Sequence, residues 1–447
     1  MSKFETQWDD MMSRIETRSA DQDEFLQAVH EVAASVKDVV KTDDALQKSR
    51  IFERLTEPDR IIIFNVTWED DGGDVHINRG YRVQHCGAIG PYKGGIRFHP
   101  TVDLSTLKFL AFEQTFKNAL TGLPMGGGKG GSDFDPEGRS EREIMRFCQA
   151  FMDELFRHIG PYTDVPAGDI NVGGREIGYM YGRYRRLTNR FTGAMTGKGL
   201  SYGGSPARVE ATGYGLIYFL SHVLEAHLDK IDDKTIIISG AGNVALHAAE
   251  KAVALGAKVI TLSDSDGTLL KEDGFSSDDI NWIKDHKAKS GASLKAFTDD
   301  RGGTFKSGKK PWSIKADIAL PCATQNEIDK DDAKALVDND VKFLAEGANM
   351  PCTAKATKTI RESDMVYVPG KASNAGGVAL SGLEMSQNAD FERGEFDTLD
   401  TQLQSIMARI HDSCKDFGKV DDRIDYVRGA NRAAFAKVSK ALLAFGI

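Results

Sequence analysis

The segment Lys234-Thr235-Ile236-Ile237-Ile238-Ser239 runs straight into Gly240-Ala241-Gly242-Asn243-Val244-Ala245, and no other stretch of the 447-residue chain limits the fold so tightly. A short continuous apolar run is what a strand buried on both faces of a parallel sheet requires. Gly240 makes the tight turn, Gly242 lets backbone approach a pyrophosphate, and Ala245 lets the following helix pack on the strand. The N–H groups at the start of that helix then face the phosphates. Strand, glycine turn and helix in this order predict a doubly wound dinucleotide-binding domain.

The surrounding pattern agrees. An apolar helix over Ala211 to Leu224 precedes the turn, and helical and strand segments alternate after it: Val244 to Leu255, Lys258 to Leu262, Asp317 to Leu320, Val341 to Ala345, and Met365 to Val368. The first two hundred residues mix a helical pattern (Leu26 to Val40), strands (Ile61 to Trp68, Val75 to Cys86) and a helix (Leu104 to Leu120). Ser140 with Glu143 then forms a capping box that opens a helix reaching His158. The tail from Thr398 to Ile447 reads as helical throughout and is expected to pack back on the first domain. The chain is too long for one core. The expected architecture is α/β with two domains and a cleft between them: a mixed substrate and oligomerisation domain (1–200 plus about 424–447) and a Rossmann-like domain (201–423).

Composition removes several function classes. With 57 basic against 66 acidic residues the net charge is −9, which disfavours nucleic acid and anionic membrane as partners. An anionic ligand must therefore be held by a local cluster of cations. The five cysteines are odd in number, widely spaced and without a Cys-x-x-Cys pair, so neither a disulfide framework nor a zinc site is expected, and reduced thiols fit a cytoplasm. The start lacks the apolar core of a signal peptide, and no stretch approaches the roughly 18 apolar residues of a membrane span. The histidines form no metal-binding pattern, so no metal is expected.

Lys129 stands alone among glycines in Pro124-Met125-Gly126-Gly127-Gly128-Lys129-Gly130-Gly131-Ser132. An ATP-binding P-loop fails here, because Leu123 and Gly130 occupy places that need glycine and Ser or Thr. An ammonium on a loop bare of side chains can be walled in by other elements, which lowers its pKa and frees its lone pair; a mobile surface turn is the plain alternative. Lys93 beside Gly94-Gly95, and Asp169 in Pro166-Ala167-Gly168-Asp169, stand on similar glycine-rich loops, while Gln114 and Lys117 share one face of the helix 104–120. Singly, each has a dull explanation as a solvated charge or a turn cap. Together they suggest convergence. At the end of the second strand, Asp264 lies about 20 residues beyond Gly242, where a carboxylate accepts the ribose hydroxyls of NAD. Ser265, Lys287 or Lys289 would instead suit a 2′-phosphate, so the coenzyme signals conflict.

The segments Gly-Pro-Tyr-Lys-Gly-Gly-Ile-Arg-Phe-His-Pro (90–100), Phe-Glu-Gln-Thr-Phe-Lys-Asn-Ala-Leu (112–120), Leu-Pro-Met-Gly-Gly-Gly-Lys-Gly-Gly (123–131), Val-Pro-Ala-Gly-Asp (165–169), Ala-Glu-Gly-Ala-Asn-Met-Pro (345–351) and Ser-Asn-Ala-Gly-Gly-Val-Ala (373–379) resemble those of hexameric glutamate dehydrogenases, in the family order over nearly the whole chain. The resemblance implies reversible reductive amination of 2-oxoglutarate with ammonium and NADPH to L-glutamate, in a homohexamer. The Ser263-Asp264-Ser265 turn resembles the NADP-using branch that assimilates ammonium. By similarity Lys129 and Asp169 are catalytic. Lys93 with Ser381 meets the side-chain carboxylate, Lys117 with Gln114 holds the α-carboxylate, and Gly168 offers its carbonyl to the substrate amine. Burial with Lys93 and Lys117 as neighbours is expected to lower the Lys129 pKa. Thr212, Gly240, Gly242, Asn243, Val244, Asp264, Ser265 and Asn349 match coenzyme positions, and the Gly203-Gly204 and Gly376-Gly377 joins are candidate hinges. A lysine at 93 argues against branched-chain or aromatic amino acids, whose apolar pocket would bury an unpaired ammonium. An NAD-dependent catabolic enzyme and a non-catalytic nucleotide-binding relative are the alternatives.

Overall fold

The computed structural model describes residues 2–289 and 292–446, so Ile447, the end of the expected helical tail, lies outside the described residues. Two compact units divide the chain. One runs to Pro206 and takes in Val378–Leu399 and the stretch from Asn431 onward; the other holds Ala207–Gly377 and Asp400–Ala430.

The first unit is built on a five-stranded mixed sheet, β1 (Arg60–Glu69), β2 (Val75–Cys86), β3 (Tyr92–Phe98), β4 (Gly127–Ser132) and β5 (Asp164–Gly168), in the order β1-β2-β4-β3-β5. β1 and β2 form an antiparallel pair, β4 runs antiparallel to β2, and β3 is parallel to both β4 and β5. Helices Glu141–Leu155 and Gly174–Thr188 contribute to a core in which Phe98, Phe134, Phe147, Phe151 and Met152 are buried, with the Phe134 and Phe147 rings stacked at 3.7 Å. The expected capping box is present, with Ser140 and Glu143 exchanging hydrogen bonds.

The glycine-rich stretches around Lys93 and Lys129 are strands rather than loops. All six residues of β4 are buried. The reason is steric: a Cβ on Gly94 would stand 1.6 Å from the Gly128 carbonyl oxygen, and one on Gly127 would stand 1.9 Å from Thr115 Oγ1 on helix Leu104–Leu120. Missing side chains thus let the helix and the neighbouring strands close down on the sheet.

The second unit carries a seven-stranded sheet: β6 (Thr235–Ser239), β7 (Lys258–Asp264), β8 (Gly267–Leu270), β9 (Thr304–Ser307), β10 (Ile318–Pro321), β11 (Phe343–Ala345) and β12 (Val366–Val368), ordered β12-β11-β10-β6-β7-β8-β9. The first five positions are parallel, whereas β8 and β9 add to the β7 side as antiparallel strands that periodicity alone did not reveal. Strand order reverses between β6 and β10, which opens a crevice at their carboxyl ends. Ile237, Ala319, Leu336 and Leu344 lie in the buried core of this unit. Gly376 begins helix Gly376–Asp390, and its Cβ would meet the Ala211 carbonyl oxygen at 2.1 Å, so that glycine serves close packing against helix Ala211–Ala226. The tail is not helical throughout. A two-stranded hairpin, Lys419–Val420 with Arg423–Ile424, separates helices Phe396–Gly418 and Tyr426–Phe445.

Two glycines give a paired test of this steric account. Gly94→Ala forces a methyl into fixed backbone and is expected to lower stability by about 3 kcal/mol. Gly182, exposed inside helix Gly174–Thr188 with no atom within 4 Å of its Cβ position, is the control. Gly182→Ala is expected to stabilise by about 0.5–1 kcal/mol. Urea unfolding midpoints check both, and equal midpoints for the two variants would contradict the packing argument.

Candidate functional site

In the first unit β4 aligns Lys129 opposite Val83 of β2, and β5 ends at Gly168, immediately before Asp169. The Lys129 ammonium lies 2.8 Å from Asp169 Oδ1 with its side chain 4% exposed, while Arg97 Nε donates to the other carboxylate oxygen at 2.6 Å. Arg97 sits four residues beyond Lys93 on β3, on the same strand face, so alternation along a strand was the signal that could have marked it. Asp169 is fixed by the tight turn in which Val172 N donates to its carbonyl oxygen, and Asn171, at φ 58°, ties that turn to the Phe98 carbonyl oxygen.

Burial pushes the Lys129 pKa down, and the fields of Arg97 and Arg82 add to the lowering, against the opposing pull of Asp169. Burial alone would raise the Asp169 carboxyl, but the Lys129 and Arg97 cations outweigh it and hold the group well below the usual carboxylate range. The result is an ionised carboxylate beside an amine that gives up its proton more readily than a hydrated lysine. Such a pair can pass protons to and from a small molecule in contact with both. Beneath it, Arg82 and Asp164 form a wholly buried ion pair; Arg82 also donates to the Gly94 carbonyl oxygen at 3.0 Å, and Gln84 donates to Asp164 at 2.9 Å.

Helix Leu104–Leu120 brings the remaining polar groups to β3. Asn118 donates to the carbonyl oxygens of Lys93 and Gly126 and accepts from Gln114 Nε2 at 2.7 Å; Gly94 leaves room for the Gln114 side chain at 3.4 Å. Lys117 lies half-buried one turn beyond Gln114 on that helix, and Lys93 is 1% exposed. Gly168 pairs with Ile96, and a Cβ on it would meet the Val172 carbonyl oxygen at 2.2 Å. Ser381, on helix Gly376–Asp390, is buried and accepts a 3.3 Å hydrogen bond from Thr196, whose own N–H donates to Pro166 on β5. Sequence motifs did not single out Thr196, Asn118 or Arg82.

In the second unit Gly240 adopts φ 86°, donates its N–H to Ser263 Oγ at 2.8 Å, and approaches the Cys322 carbonyl oxygen just past β10. Gly242 precedes helix Asn243–Ala254, with no atom within 4 Å of its Cβ position. Open space at 242, exposed Asn243, half-buried Val244 and buried Ala245 fit a pyrophosphate lying across the helix N-terminus. Thr212 stands in the first turn of helix Ala211–Ala226, where Gly377 leaves it room. Asn349 accepts from Asn374 at 3.1 Å; Asn374 also donates to the Gly347 and Ala348 carbonyl oxygens.

Asp264, the last residue of β7, already has three internal donors. Leu294 N at 2.8 Å and Lys287 Nζ at 3.4 Å reach one oxygen, and Asp266 N at 3.1 Å reaches the other. Lys287 is thus half-buried and engaged rather than on a solvated face, while Ser265 and Lys289 are exposed. Among the described residues no group of His, Cys, Asp and Glu side chains could hold a metal ion, and no helix is long and apolar enough to cross a membrane.

Comparison with known proteins identifies the family. The family described as Glutamate/Leucine/Phenylalanine/Valine dehydrogenase matches residues 203–446, and its partner domain, described as Glu/Leu/Phe/Val dehydrogenase, dimerisation domain, matches residues 58–186. An NADP-specific glutamate dehydrogenase of Psychrobacter sp. is 54% identical over 98% of both chains. An NAD-specific glutamate dehydrogenase of Bacteroides fragilis is 55% identical over 98% of this chain and 99% of its own. A crystal structure of Plasmodium falciparum glutamate dehydrogenase superposes with a TM-score of 0.97 at 46% identity, covering 99% of this chain and 95% of the other. The chain belongs to the Glu/Leu/Phe/Val dehydrogenase family.

Proposed function

We propose that this protein is an NADP-dependent L-glutamate dehydrogenase that assimilates ammonium, with 2-oxoglutarate, ammonium and L-glutamate as its substrates and products. The observation that carries the chemistry is the buried Lys129–Asp169 pair at 2.8 Å. Nearly full-length identity of about half to NADP-specific relatives supports the coenzyme and the substrate.

The residues take the following roles. Substrate binds in the unit that holds β1 to β5 and coenzyme in the unit that holds β6 to β12. Lys93 and the Ser381 hydroxyl receive the side-chain carboxylate, and Lys117 with Gln114 receives the α-carboxylate. Neutral Lys129 takes the proton released as ammonia adds to C2 and returns it to the C2 oxygen, and with the proton that ammonium gave up on becoming ammonia that oxygen leaves as water and the iminium remains. Asp169 carries protons to and from the nitrogen, whose N–H groups also meet the Gly168 carbonyl oxygen. Dihydronicotinamide, when bound, supplies the hydride that C2 takes up. Gly240, Gly242, Asn243 and Val244 hold its pyrophosphate, Thr212 and Asn349 the nicotinamide half, and the turn at Asp264 and Ser265 the adenosine ribose.

Asp264 supports NADP in an unexpected way. A carboxylate with three internal donors has little capacity left for ribose hydroxyls, which leaves exposed Ser265 and Lys289 as the groups open to a 2′-phosphate. The NAD-specific relative at 55% identity favours the second reading, an NAD enzyme.

Assembly as a homo-oligomer, a hexamer by the family resemblance, has support in β1 and β2. β1 is an edge strand, and Ile61, Ile63, Val75 and Ile77 lie exposed on one face of the pair at 37%, 53%, 66% and 71%. Five free, buried cysteines fit a reducing cytoplasm.

Three outcomes are expected. Absorbance of NADPH falls when 2-oxoglutarate and ammonium are added, and initial rates with NADPH exceed those with NADH by about tenfold or more at matched concentrations; the reverse ratio assigns the enzyme to NAD, and a flat trace with both removes the catalytic assignment. Lys93→Leu with Ser381→Val leaves under about a tenth of the kcat/KM for glutamate, because the distal carboxylate loses its cation and its hydroxyl; an unchanged value refutes the pocket assignment. Because burial lowers the Lys129 pKa, kcat/KM for glutamate oxidation rises with pH and reaches its plateau below the roughly 10.4 midpoint of a hydrated lysine. Asp169, held below the carboxylate range, contributes no titration near neutrality. A profile centred on or above the hydrated-lysine midpoint contradicts the role given to Lys129.

A further inference from the structure

A second lysine, Lys198, is also buried, and no motif called attention to it. Lys198 Nζ pairs with Glu384 at 2.8 Å, with both side chains fully shielded from solvent. The ammonium also donates to the Met195 carbonyl oxygen and lies 5.6 Å from the centre of the Tyr181 ring. The second carboxylate oxygen of Glu384 accepts from Gly197 N at 2.9 Å. One carboxylate therefore grips the segment 195–198 by a side chain and by backbone.

Thr196 sits in the middle of that segment. Its N–H is held by the Pro166 carbonyl oxygen on β5 and its hydroxyl donates to Ser381. Ser381 lies three residues before Glu384 on helix Gly376–Asp390, so the two share a helix face. The ion pair thus closes a small frame with β5 on one side, the helix on the other, and the Thr196 and Ser381 hydroxyls between. Stability alone gives little reason for such a pair, since well-packed apolar replacements of buried ion pairs are often neutral or stabilising. A fixed separation and orientation of two hydroxyls is what charged, directional contacts supply and apolar packing does not.

We propose that Lys198 and Glu384 are positioning residues for substrate specificity: they hold Thr196 and Ser381 at the spacing that receives the distal carboxylate of a dicarboxylic 2-oxo acid. The proposal rests on the distal-carboxylate role given to Ser381 above. Neither residue touches the reacting carbon, so their effect is confined to the dicarboxylic substrate.

The test compares 2-oxoglutarate with 2-oxovalerate, a five-carbon 2-oxo acid that ends in a methyl group, in wild type, Glu384→Gln, and the double variant Lys198→Met with Glu384→Leu. The double variant buries no unpaired charge and carries the comparison where the single variant does not fold. In folded variants KM for 2-oxoglutarate is expected to rise about tenfold or more, while KM for NADPH and kcat/KM for 2-oxovalerate stay within about twofold of wild type. Lys198→Arg with Glu384 intact, which keeps the charge, is expected to recover part of the loss. Parallel losses on both 2-oxo acids, or an unchanged KM for 2-oxoglutarate, overturn the proposal while the Ser381 assignment stands. A wild-type enzyme with no preference for 2-oxoglutarate over 2-oxovalerate overturns that assignment, and this inference with it.

Discussion

The candidate site depends on bare backbone. Where β3 and β4 carry glycine at 94 and 127, the neighbouring strand and the helix Leu104–Leu120 approach to distances that no side chain would tolerate. That approach excludes water, and water is what keeps an ordinary lysine protonated to high pH. The one long side chain at the centre of β4 is then confined among dipoles and the few charges supplied to it. Glycine here is not a source of flexibility. It is the condition for a dry, closely packed wall around a single amine.

The charges supplied are few and opposed. Asp169 has a cation on each oxygen, so its ionised form is favoured more strongly than burial opposes it. Lys129 has one anion against burial and two guanidinium groups, and burial prevails. The two partners of a single ion pair therefore shift in the same numerical direction for different reasons: one because its charged form is well paired, the other because its charged form is poorly hydrated. This asymmetry suits proton exchange, since the carboxylate stays available as an acceptor while the amine is the group that changes state. A chain with a net charge of −9 achieves this by concentrating cations locally, which its overall composition does not reveal.

What the sequence made legible follows the same physics. The strand at 235–239, the turn at 240–242 and the helix after it each obey a local rule, and the structure reproduces them within a residue or two. The capping box at Ser140 and the helix Leu104–Leu120 are local as well. The polyglycine strands were not legible, because glycine has low strand propensity and the force that makes β4 a strand comes from β2, β3 and the helix against it, all remote in sequence. Arg97 was hidden for the same reason: only with β3 recognised as a strand does its alternation with Lys93 appear. β8, β9 and the hairpin at 419–424 are short, and their pairing rather than their composition defines them.

Asp264 shows how a local rule can be satisfied in sequence and redirected in space. The rule that assigns a carboxylate at the end of the second strand to ribose hydroxyls assumes that its oxygens face the coenzyme. Here the same oxygens receive donors from Leu294, Lys287 and Asp266. An anion with its lone pairs engaged and a lysine at its side presents less negative field outward than a free carboxylate would. The repulsion of a 2′-phosphate, which is the physical content of the rule, is reduced by the same contacts. Relatives of near-equal identity carry opposite coenzyme names, so overall identity does not by itself fix the coenzyme.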